Sequence, residues 1–348
     1  DQDGYFIQPN ALPQASSTII EPVKDNDPLN GVSTYDLVLI NKHILGLQPL
    51  TSPYKMIAAD ANGSRSITTA DIVELRKLIL GIHTELPNNT SWRFVDKNYV
   101  FPNPSNPFQE IFPETKEIVD PQTHQMYEDF VGVKTGDVNG NAVTNSLSST
   151  EDRTAGTLTF DVEERVVEAG ETFLVEFRPA EASTGYQFTL YHPGLQVVDV
   201  RPGGGMSADN FGIFPQEQSM TASYFSTKSA GGFAVTFRAT NTGSLSRMLS
   251  LSSRITRAEA YRVETDGTTP ELLDIALRFN SGETPVVSGV GLELYQNQPN
   301  PWTNRTRLGF HLPESSEAVL TVFDEAGKVL YSRAETFAQG YNAVTIDN

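Results

Sequence analysis

The chain has 348 residues, which is enough for two or three domains with separate cores. Its 43 acidic and 25 basic residues give a net charge of −18, which disfavours nucleic acid and anionic membranes as partners and favours divalent cations and an extracellular setting. There is no cysteine, which excludes disulfides and thiolate metal sites.

Residues 1–18 show no helical period, and we expect an extended lead-in with a short strand at Ser17–Ile20. No stretch is long and apolar enough to predict a membrane span, and residues 1–20 lack a basic segment followed by an apolar one. We therefore expect a mature chain or a fragment of a longer one that is not membrane-spanning.

The segment from Asp60 to Asp71 carries oxygen-bearing side chains at loop positions 1, 3, 5, 9 and 12. This is the spacing of a twelve-residue Ca²⁺ loop, in which position 7 supplies a backbone carbonyl and position 12 an acid. A helix with an apolar stripe is predicted to follow over 72–82, although Arg65 stands where such loops usually have glycine. The alternative is an Asx-rich turn before a capped surface helix. The predicted ligands are Asp60, Asn62, Ser64, Ser66, Thr68 and Asp71.

A second copy of the pattern begins 35 residues earlier, and residues 37–47 align with residues 72–82 as helices that end in glycine. Leu29 at position 5 has no side-chain oxygen, so a backbone carbonyl, Asn30 or water must serve, and weaker Ca²⁺ binding is expected here. Between the repeats, Pro49 and Pro53 predict a connection without helix over 48–59. The predicted ligands of this copy are Asp25, Asp27, Ser33 and Asp36.

Two Ca²⁺ loops, each followed by one helix, resemble the type I dockerin module, and the resemblance covers residues 19–84. It implies two half-motifs packed antiparallel around Ca²⁺ and a helix face that docks onto a cohesin β-sandwich. Tyr35 and Ala70 depart from the small hydroxyl pair usual in that family, so the identity of the partner stays open. The partner-binding residues implied by the resemblance are Thr34, Tyr35, Asn41, Lys42, Thr69, Ala70, Arg76 and Lys77.

Residues 85–135 are rich in Asn, Pro and aromatic residues, which predicts an irregular excursion packed over the helices with Trp92 as an anchor. A sugar-stacking surface, and hence glycans as partners, is the alternative. The opening half of the Ca²⁺ loop then recurs as Asp137, Asn139 and Asn141, without a closing acid or helix. These residues predict a third Ca²⁺ site if a distant carboxylate completes the shell, and a polar turn otherwise. A Ser/Thr-rich segment over 144–155 predicts the end of this first domain, which we place at 19–150.

From Thr157 the apolar pattern has period 2, and short strands separated by glycine and proline turns predict an antiparallel β-sandwich over 156–280. The segments Ala169-Gly170-Glu171, Gly185-Tyr-Gln187 and Glu259-Ala260-Tyr, in this order, resemble the cohesin-like or carbohydrate-module sandwiches of bacterial surface proteins. Together with the dockerin-like segment, the resemblance implies that the two modules pair within one molecule or between copies. The predicted strands are 157–162, 172–177, 186–191, 196–200, 220–225, 233–237, 249–253, 258–263 and 271–279.

We predict that residues 281–290 form a linker and that residues 291–348 form a second, smaller Ig-like β-sandwich. The opening Asn297-Gln-Pro299-Asn300-Pro301, the Gly327-Lys328 hairpin and Gly340-Tyr-Asn342 resemble the C-terminal sorting domain of type IX secretion cargo. The resemblance implies recognition by the type IX secretion machinery at the outer membrane, usually followed by cleavage. The closing Gly-x-Tyr strand usual for that family does not follow Asn348, so we expect a C-terminally incomplete domain.

No catalytic constellation is apparent, because the five histidines are scattered and neither an H-E-x-x-H nor a G-x-S-x-G motif occurs. The sequence therefore predicts a mostly β, multi-domain and non-catalytic protein. Its expected function is Ca²⁺-stabilised adhesion or assembly at a bacterial cell surface after type IX export. The alternatives are a carbohydrate-binding accessory region of a larger secreted enzyme and a self-associating extracellular filament subunit.

Overall fold

The computed structural model of the protein divides into two compact units, residues 1–145 and 146–348. Residues 1–16 of the predicted lead-in and the predicted junction at 144–155 lie outside the described residues. The structure describes residues 17–119, 128–143, 156–226, 231–263, 270–280, 286–294, 297, 305–313, 315–324, 327–337 and 340–347. Among these, no helix has the length and apolar character needed to span a membrane.

The first unit combines short helices with two antiparallel strand pairs, β1 with β3 and β2 with β4. Helices α1 and α3, which follow the two predicted loops, contact each other. The prediction of a helix-free connection is wrong, because α2 begins at Pro53, and proline is favourable in the first turn of a helix. The elements are β1 (Ser17–Ile20), α1 (Thr34–Ile44), α2 (Pro53–Ala59), α3 (Thr69–Ile79), β2 (Trp92–Asp96), β3 (Lys116–Val119) and β4 (Phe130–Lys134).

Helices α1 and α3 begin with the same capping box. The Ser33 hydroxyl accepts a hydrogen bond from the Tyr35 amide, and the Asp36 carboxylate accepts one from the Ser33 amide at 3.0 Å. Thr68 and Asp71 repeat this arrangement at the start of α3, with 2.8 Å between the Thr68 amide and the carboxylate. The acid at position 12 of each predicted loop is therefore fixed by the first turn of its helix.

The excursion that follows α3 packs its aromatic residues into the first unit. Trp92, Phe101 and Phe112 are buried, and the rings of Tyr54 and Phe101 meet edge to face with centroids 5.7 Å apart. Burial of these three rings leaves them no open face for stacking on a sugar.

The second unit contains one continuous path of strands in the order β10-β11-β8-β15-β16-β5-β7-β12-β9, with β14 beside β8 and β17 beside β16. Each strand predicted between residues 157 and 279 has a counterpart in the second unit, which also contains a separate two-stranded sheet, β13-β6. Its elements are β5 (Thr157–Glu163), β6 (Val166–Val167), β7 (Thr172–Pro179), β8 (Gly185–Tyr191), β9 (Leu195–Pro202), β10 (Phe211–Phe214), β11 (Ser219–Phe225), β12 (Phe233–Ala239), β13 (Gly243–Ser244), α4 (Leu245–Met248), β14 (Ser250–Ser252), β15 (Glu259–Val263), β16 (Pro270–Asn280) and β17 (Val286–Gly289).

The pairing of β5 with β16 is parallel, with Asp161 opposite Arg278, so the prediction of an entirely antiparallel sheet is wrong at this pair. Period-2 alternation fixes which side chains face the core but carries no information on strand direction. On β7 the alternation is regular, since Phe173, Val175 and Phe177 are buried. The rings of Phe177 and Phe233 stack with centroids 4.8 Å apart at the centre of the core.

The C-terminal part of the second unit forms a three-stranded sheet, β18-β19-β22, and a separate hairpin, β20-β21. Asp324 and Lys328 close this hairpin through a 2.9 Å backbone hydrogen bond, at the predicted Gly327-Lys328 turn. Residues 298–301 of the predicted opening motif lie outside the described residues. The elements are β18 (Glu293–Leu294), β19 (Arg305–Leu312), β20 (Ser316–Phe323), β21 (Val329–Phe337) and β22 (Gly340–Asp347), and their core comprises Phe310, Leu312, Phe337, Val344 and Ile346.

Candidate metal centres

The loop from Asp60 to Asp71 brings its two carboxylates to one turn of the chain. The Asp60 carboxylate accepts hydrogen bonds from the amides of Ser64 at 2.9 Å and Arg65 at 2.8 Å. The Asp71 carboxylate accepts one from the amide of Asn62 at 3.2 Å. Both acids are fully buried, and burial is the main reason why the pKa of Asp60 is raised, with a further increase from the charge of Asp71. Two buried like charges in one loop are unfavourable unless a cation lies between them.

The remaining predicted ligands of this loop lie in the same turn. The Asn62 side-chain oxygen accepts a hydrogen bond from the Ser64 amide at 3.0 Å, and the hydroxyls of Ser64 and Ser66 are 3.0 Å apart. Gly63 has φ +68°, which permits the sharp turn. The donor set is therefore carboxylate, amide, hydroxyl and carbonyl oxygen, which suits Ca²⁺ and not a soft metal.

Arg65, the departure from glycine at position 6, has φ +62°. Its guanidinium donates hydrogen bonds to the backbone carbonyls of Phe108 at 2.6 Å and Glu110 at 2.7 Å. The arginine therefore fastens the aromatic excursion to the loop. This contact gives the side chain a structural role that offsets the cost of a left-handed backbone.

Two acids predicted as ligands of the first loop accept hydrogen bonds from segments far along the chain. The Asp25 carboxylate accepts a hydrogen bond from the Ser91 amide at 2.6 Å. The Asp36 carboxylate instead accepts hydrogen bonds from the amides of Val138 at 2.9 Å and Asn139 at 3.1 Å. The long excursion thus returns the chain to α1 and places the 138–139 segment beside Asp36. That Asp25 and Asp27 share a ligand shell with Asp36 stays a prediction.

That segment is the third predicted half-loop. The Asp137 carboxylate accepts hydrogen bonds from the amides of Gly140 at 2.6 Å, Asn141 at 3.2 Å and Ala142 at 2.8 Å. The Asn139 side-chain oxygen accepts one from the Asn141 amide at 3.1 Å. The Asp36 carboxylate lies beside the opening residues of this half-loop, because it accepts the Val138 and Asn139 amides.

The charges around Asp36 are concentrated and buried. Burial and then the charge of Asp137 raise the pKa of Asp36 to about 7, against the opposing hydrogen bonds from backbone amides. Lys134 is also buried, and desolvation lowers its pKa to about 8. Its ammonium donates to the carbonyls of Pro28 at 2.7 Å and Thr135 at 3.0 Å.

Among the described residues no three carboxylate or imidazole groups cluster as a metal cage, so each candidate centre depends on two carboxylates and neutral oxygens.

The predicted partner-binding residues differ in their exposure to solvent. Thr34 and Tyr35 are 0% and 7% exposed, so the fold does not leave them accessible to a partner. Thr69 and Ala70 at the corresponding positions of α3 are exposed. Asn41, Lys42, Arg76 and Lys77 are partly exposed.

Sequence reasoning missed several residues that shape these surfaces. Leu47 and Ile82 are equivalent in the repeat and are exposed by 71% and 48% just beyond α1 and α3. Lys134, which donates to the Pro28 carbonyl, was not identified, and Asn30 was named only as an oxygen source in place of Leu29 and not as the residue that hydrogen-bonds the Val143 backbone. A signal was present, because one half-loop lacked an oxygen at position 5 and the other lacked a closing acid.

Comparison with known proteins gives fold neighbours only. No protein-family model matches the chain, and no curated protein sequence matches it. The similar solved structures are cohesin modules. They include a type I cohesin–dockerin complex from Clostridium thermocellum (16% identity, 26% of this chain and 70% of that chain, TM-score 0.22). Others are the sixth cohesin of Acetivibrio cellulolyticus scaffoldin B in complex with a Cel5 dockerin (13%, 38% and 99%, 0.25) and a non-cellulosomal cohesin from the archaeon Archaeoglobus fulgidus (17%, 39% and 91%, 0.25). At these TM-scores the similarity does not decide what the chain binds.

Proposed function

We propose that the first unit is a Ca²⁺-stabilised docking module in a non-catalytic protein of the bacterial cell surface. The observation that carries the proposal is the meeting of Asp60 and Asp71, both fully buried, in one oxygen-rich turn. The residues that would hold the ion are Asp60, Asn62, Ser64, Ser66, Thr68 and Asp71. Bound Ca²⁺ neutralises carboxylates that otherwise repel each other.

The ion would act on α3 through its first turn. Asp71 belongs both to the loop and to the capping box, since its second oxygen accepts the Thr68 amide at 2.8 Å. Occupation of the loop therefore fixes the start of α3 and orders the residues exposed along it, Thr69 and Ala70 first. A preordered helix face loses less conformational entropy on binding a partner.

The face proposed for docking is narrower than the dockerin resemblance implies. It consists of Thr69, Ala70, Arg76 and Lys77 on α3, with Asn41 and Lys42 on α1. Exposed Leu47 and Ile82 add apolar area at its edge. The proposed partner is a cohesin-like β-sandwich, in this chain or another copy, or another surface protein.

Export by type IX secretion, with delivery to the outer-membrane surface, is proposed from the resemblance of residues 291–348 to sorting domains. The carbohydrate-binding alternative gains no support in the first unit, because Trp92, Phe101 and Phe112 are buried.

Removal of calcium tests the proposal directly. In excess chelator, the full chain should lose the helical component of its circular-dichroism spectrum and keep the strand component. At free Ca²⁺ of about 100 times Kd, binding at one site adds about 2.7 kcal/mol to the free energy of unfolding, enough to hold a marginal small unit folded. A helical signal that is the same in Ca²⁺ and in chelator would refute the proposal. Asp60→Asn should reproduce the effect of chelator in part, and Asp199→Asn, on an exposed strand of the sandwich, is the matched control.

A further inference from the structure

The half-loop at 137–142 repeats three side-chain hydrogen bonds of the opening half of the 60–71 loop. In both, the first aspartate accepts the amides of the fifth and sixth residues, as Asp60 does from Ser64 and Arg65 and as Asp137 does from Asn141 and Ala142. In both, the asparagine at the third position accepts the amide of the fifth. In both, the glycine at the fourth position has positive φ, +68° at Gly63 and +85° at Gly140.

The closing half is equally well matched, but it comes from the other end of the unit. Ser33 and Asp36 form the same capping box as Thr68 and Asp71. The amide of the third residue donates to the closing acid in both loops, from Asn62 to Asp71 and from Asn139 to Asp36. The second pair bridges segments about 100 residues apart, since Asn139 follows Asp36 by 103 positions.

In the 60–71 loop a continuous chain joins the opening and closing halves. Here the 137–142 half and the 30–36 half are joined by hydrogen bonds and close packing. The Asn30 side chain donates to the Val143 carbonyl at 2.8 Å and accepts from the Val143 amide at 3.0 Å. A Cβ on Gly31 would lie 2.6 Å from the Ala142 Cα, so only glycine admits this approach. Gly136 is similarly confined, with Leu75 and Val32 side-chain atoms at 2.7 and 2.9 Å from its ideal Cβ position.

The charges are consistent with a cation between the halves. Asp36 and Asp137 are both buried. The Lys134 ammonium lies within electrostatic range of four carboxylates, those of Asp25, Asp27, Asp36 and Asp137, and donates its hydrogen bonds to the Pro28 and Thr135 carbonyls. Asn139 and Asn141 add the neutral oxygens that Ca²⁺ coordinates.

We infer that residues 30–36 and 137–142 together form one discontinuous calcium site, with Asp36, Asp137, Asn139 and Asn141 supplying its side-chain oxygens. The inference rests on the proposed calcium function of the unit and deepens it. The unit then binds two Ca²⁺ ions and not three, and the inferred ligand sets do not include Asp25 and Asp27. One ion closes a local loop, whereas the other joins the start of α1 to the segment by which the chain leaves the unit.

The test is the number of Ca²⁺ ions bound per full-length chain, measured by isothermal titration calorimetry after removal of calcium. The wild type should bind two, and Asp36→Asn and Asp137→Asn should each bind one. The double variant should also bind one, because both substitutions remove the same site. Asp25→Asn, the matched control, should still bind two. Asparagine keeps a side-chain oxygen that accepts the neighbouring amides, so loss of charge is separated from loss of the turn.

Hydrogen exchange supplies a second readout that does not depend on stoichiometry. Chelator should speed exchange of the Val138, Asn139 and Ser33 amides together in the wild type. In Asp137→Asn these amides should already exchange fast in Ca²⁺, while the Ser64 and Arg65 amides stay protected.

Three results would overturn the inference. Binding of three ions is one, and a site lost in Asp25→Asn but retained in Asp137→Asn is another. Binding of a single ion that is lost in Asp60→Asn would overturn the discontinuous site while leaving the proposed function intact. Binding of no ion would remove both.

Discussion

Gly31 and Gly46 both have positive φ, +73° and +69°, but their surroundings differ. A Cβ on Gly31 would meet the Ala142 backbone, whereas a Cβ on Gly46 would meet nothing within 4 Å. The two positions therefore separate the cost of a left-handed backbone from the cost of steric overlap.

We expect Gly46→Ala to lower the free energy of unfolding by about 1 kcal/mol and Gly31→Ala by about 2–4 kcal/mol. The loss in Gly46→Ala reflects backbone strain alone. The loss in Gly31→Ala also includes the cost of displacing the 137–142 segment from the start of α1. Urea denaturation of the full chain in Ca²⁺, followed by the helical signal, measures both. Equal losses would show that the contact of Gly31 with Ala142 is not tight in solution.

At the residue scale, the sequence could predict the 60–71 loop because all its oxygens lie within twelve positions. It could not place Asp36 beside the 137–142 segment. No local pattern encodes the hydrogen bond between the Val138 amide and the Asp36 carboxylate, which spans about 100 residues. Thr34 and Tyr35 were predicted to be accessible to a partner, but both are buried.

Among the elements, β5 and β16 are the one parallel pair described in the sandwich path, and an ion pair joins them. The Arg278 guanidinium donates to both carboxylate oxygens of Asp161, at 2.5 and 2.9 Å. This hydrogen bonding lowers the pKa of Asp161 below its ordinary value of 3.8. A lowered folded-state pKa means that the stabilisation is present above the unfolded pKa and is lost as the pH falls through the folded one.

We therefore expect Asp161→Asn to lower the Tm by roughly 1–3 °C at neutral pH, because the pair is partly exposed and screened by solvent. The difference from wild type should shrink as the pH falls below the unfolded pKa and should be lost as the pH falls through the lowered folded-state pKa. Thermal denaturation across this pH range measures the effect. Asp199→Asn is the control, because Asp199 and Arg201 are 3.5 Å apart and more exposed. A loss that is independent of pH would contradict the assignment to Asp161 ionisation.

The strands from β5 to β17 share one apolar core, separate from the core of β18–β22, and the two faces of β7 test its contribution. Phe177 is 0% exposed and stacks on Phe233, whereas Leu174, three residues earlier, is 42% exposed. Burial of a phenylalanine ring contributes several kcal/mol through transfer from water and close packing.

We expect Phe177→Ala to lower the free energy of unfolding of this unit by about 3–5 kcal/mol and Leu174→Ala by less than about 1 kcal/mol. Guanidinium denaturation of the full chain, followed by the strand signal, provides the comparison. Similar losses for both would mean that β7 does not have one buried and one exposed face.

The sequence alone determined the mostly β character of the chain, the positions of its strands, the capped starts of α1 and α3 and the contiguous 60–71 loop. These features depend on hydrogen bonds and side-chain alternation between residues a few positions apart. Patterns of this short range can be recognised in the amino-acid sequence itself. The tertiary structure alone decided the parallel pairing of β5 with β16, the joining of Asp36 to the 137–142 segment and the burial of Thr34 and Tyr35. The first two of these bring together segments separated by long stretches of chain, and the choice among such pairings is made by packing of the whole unit and not by any local pattern.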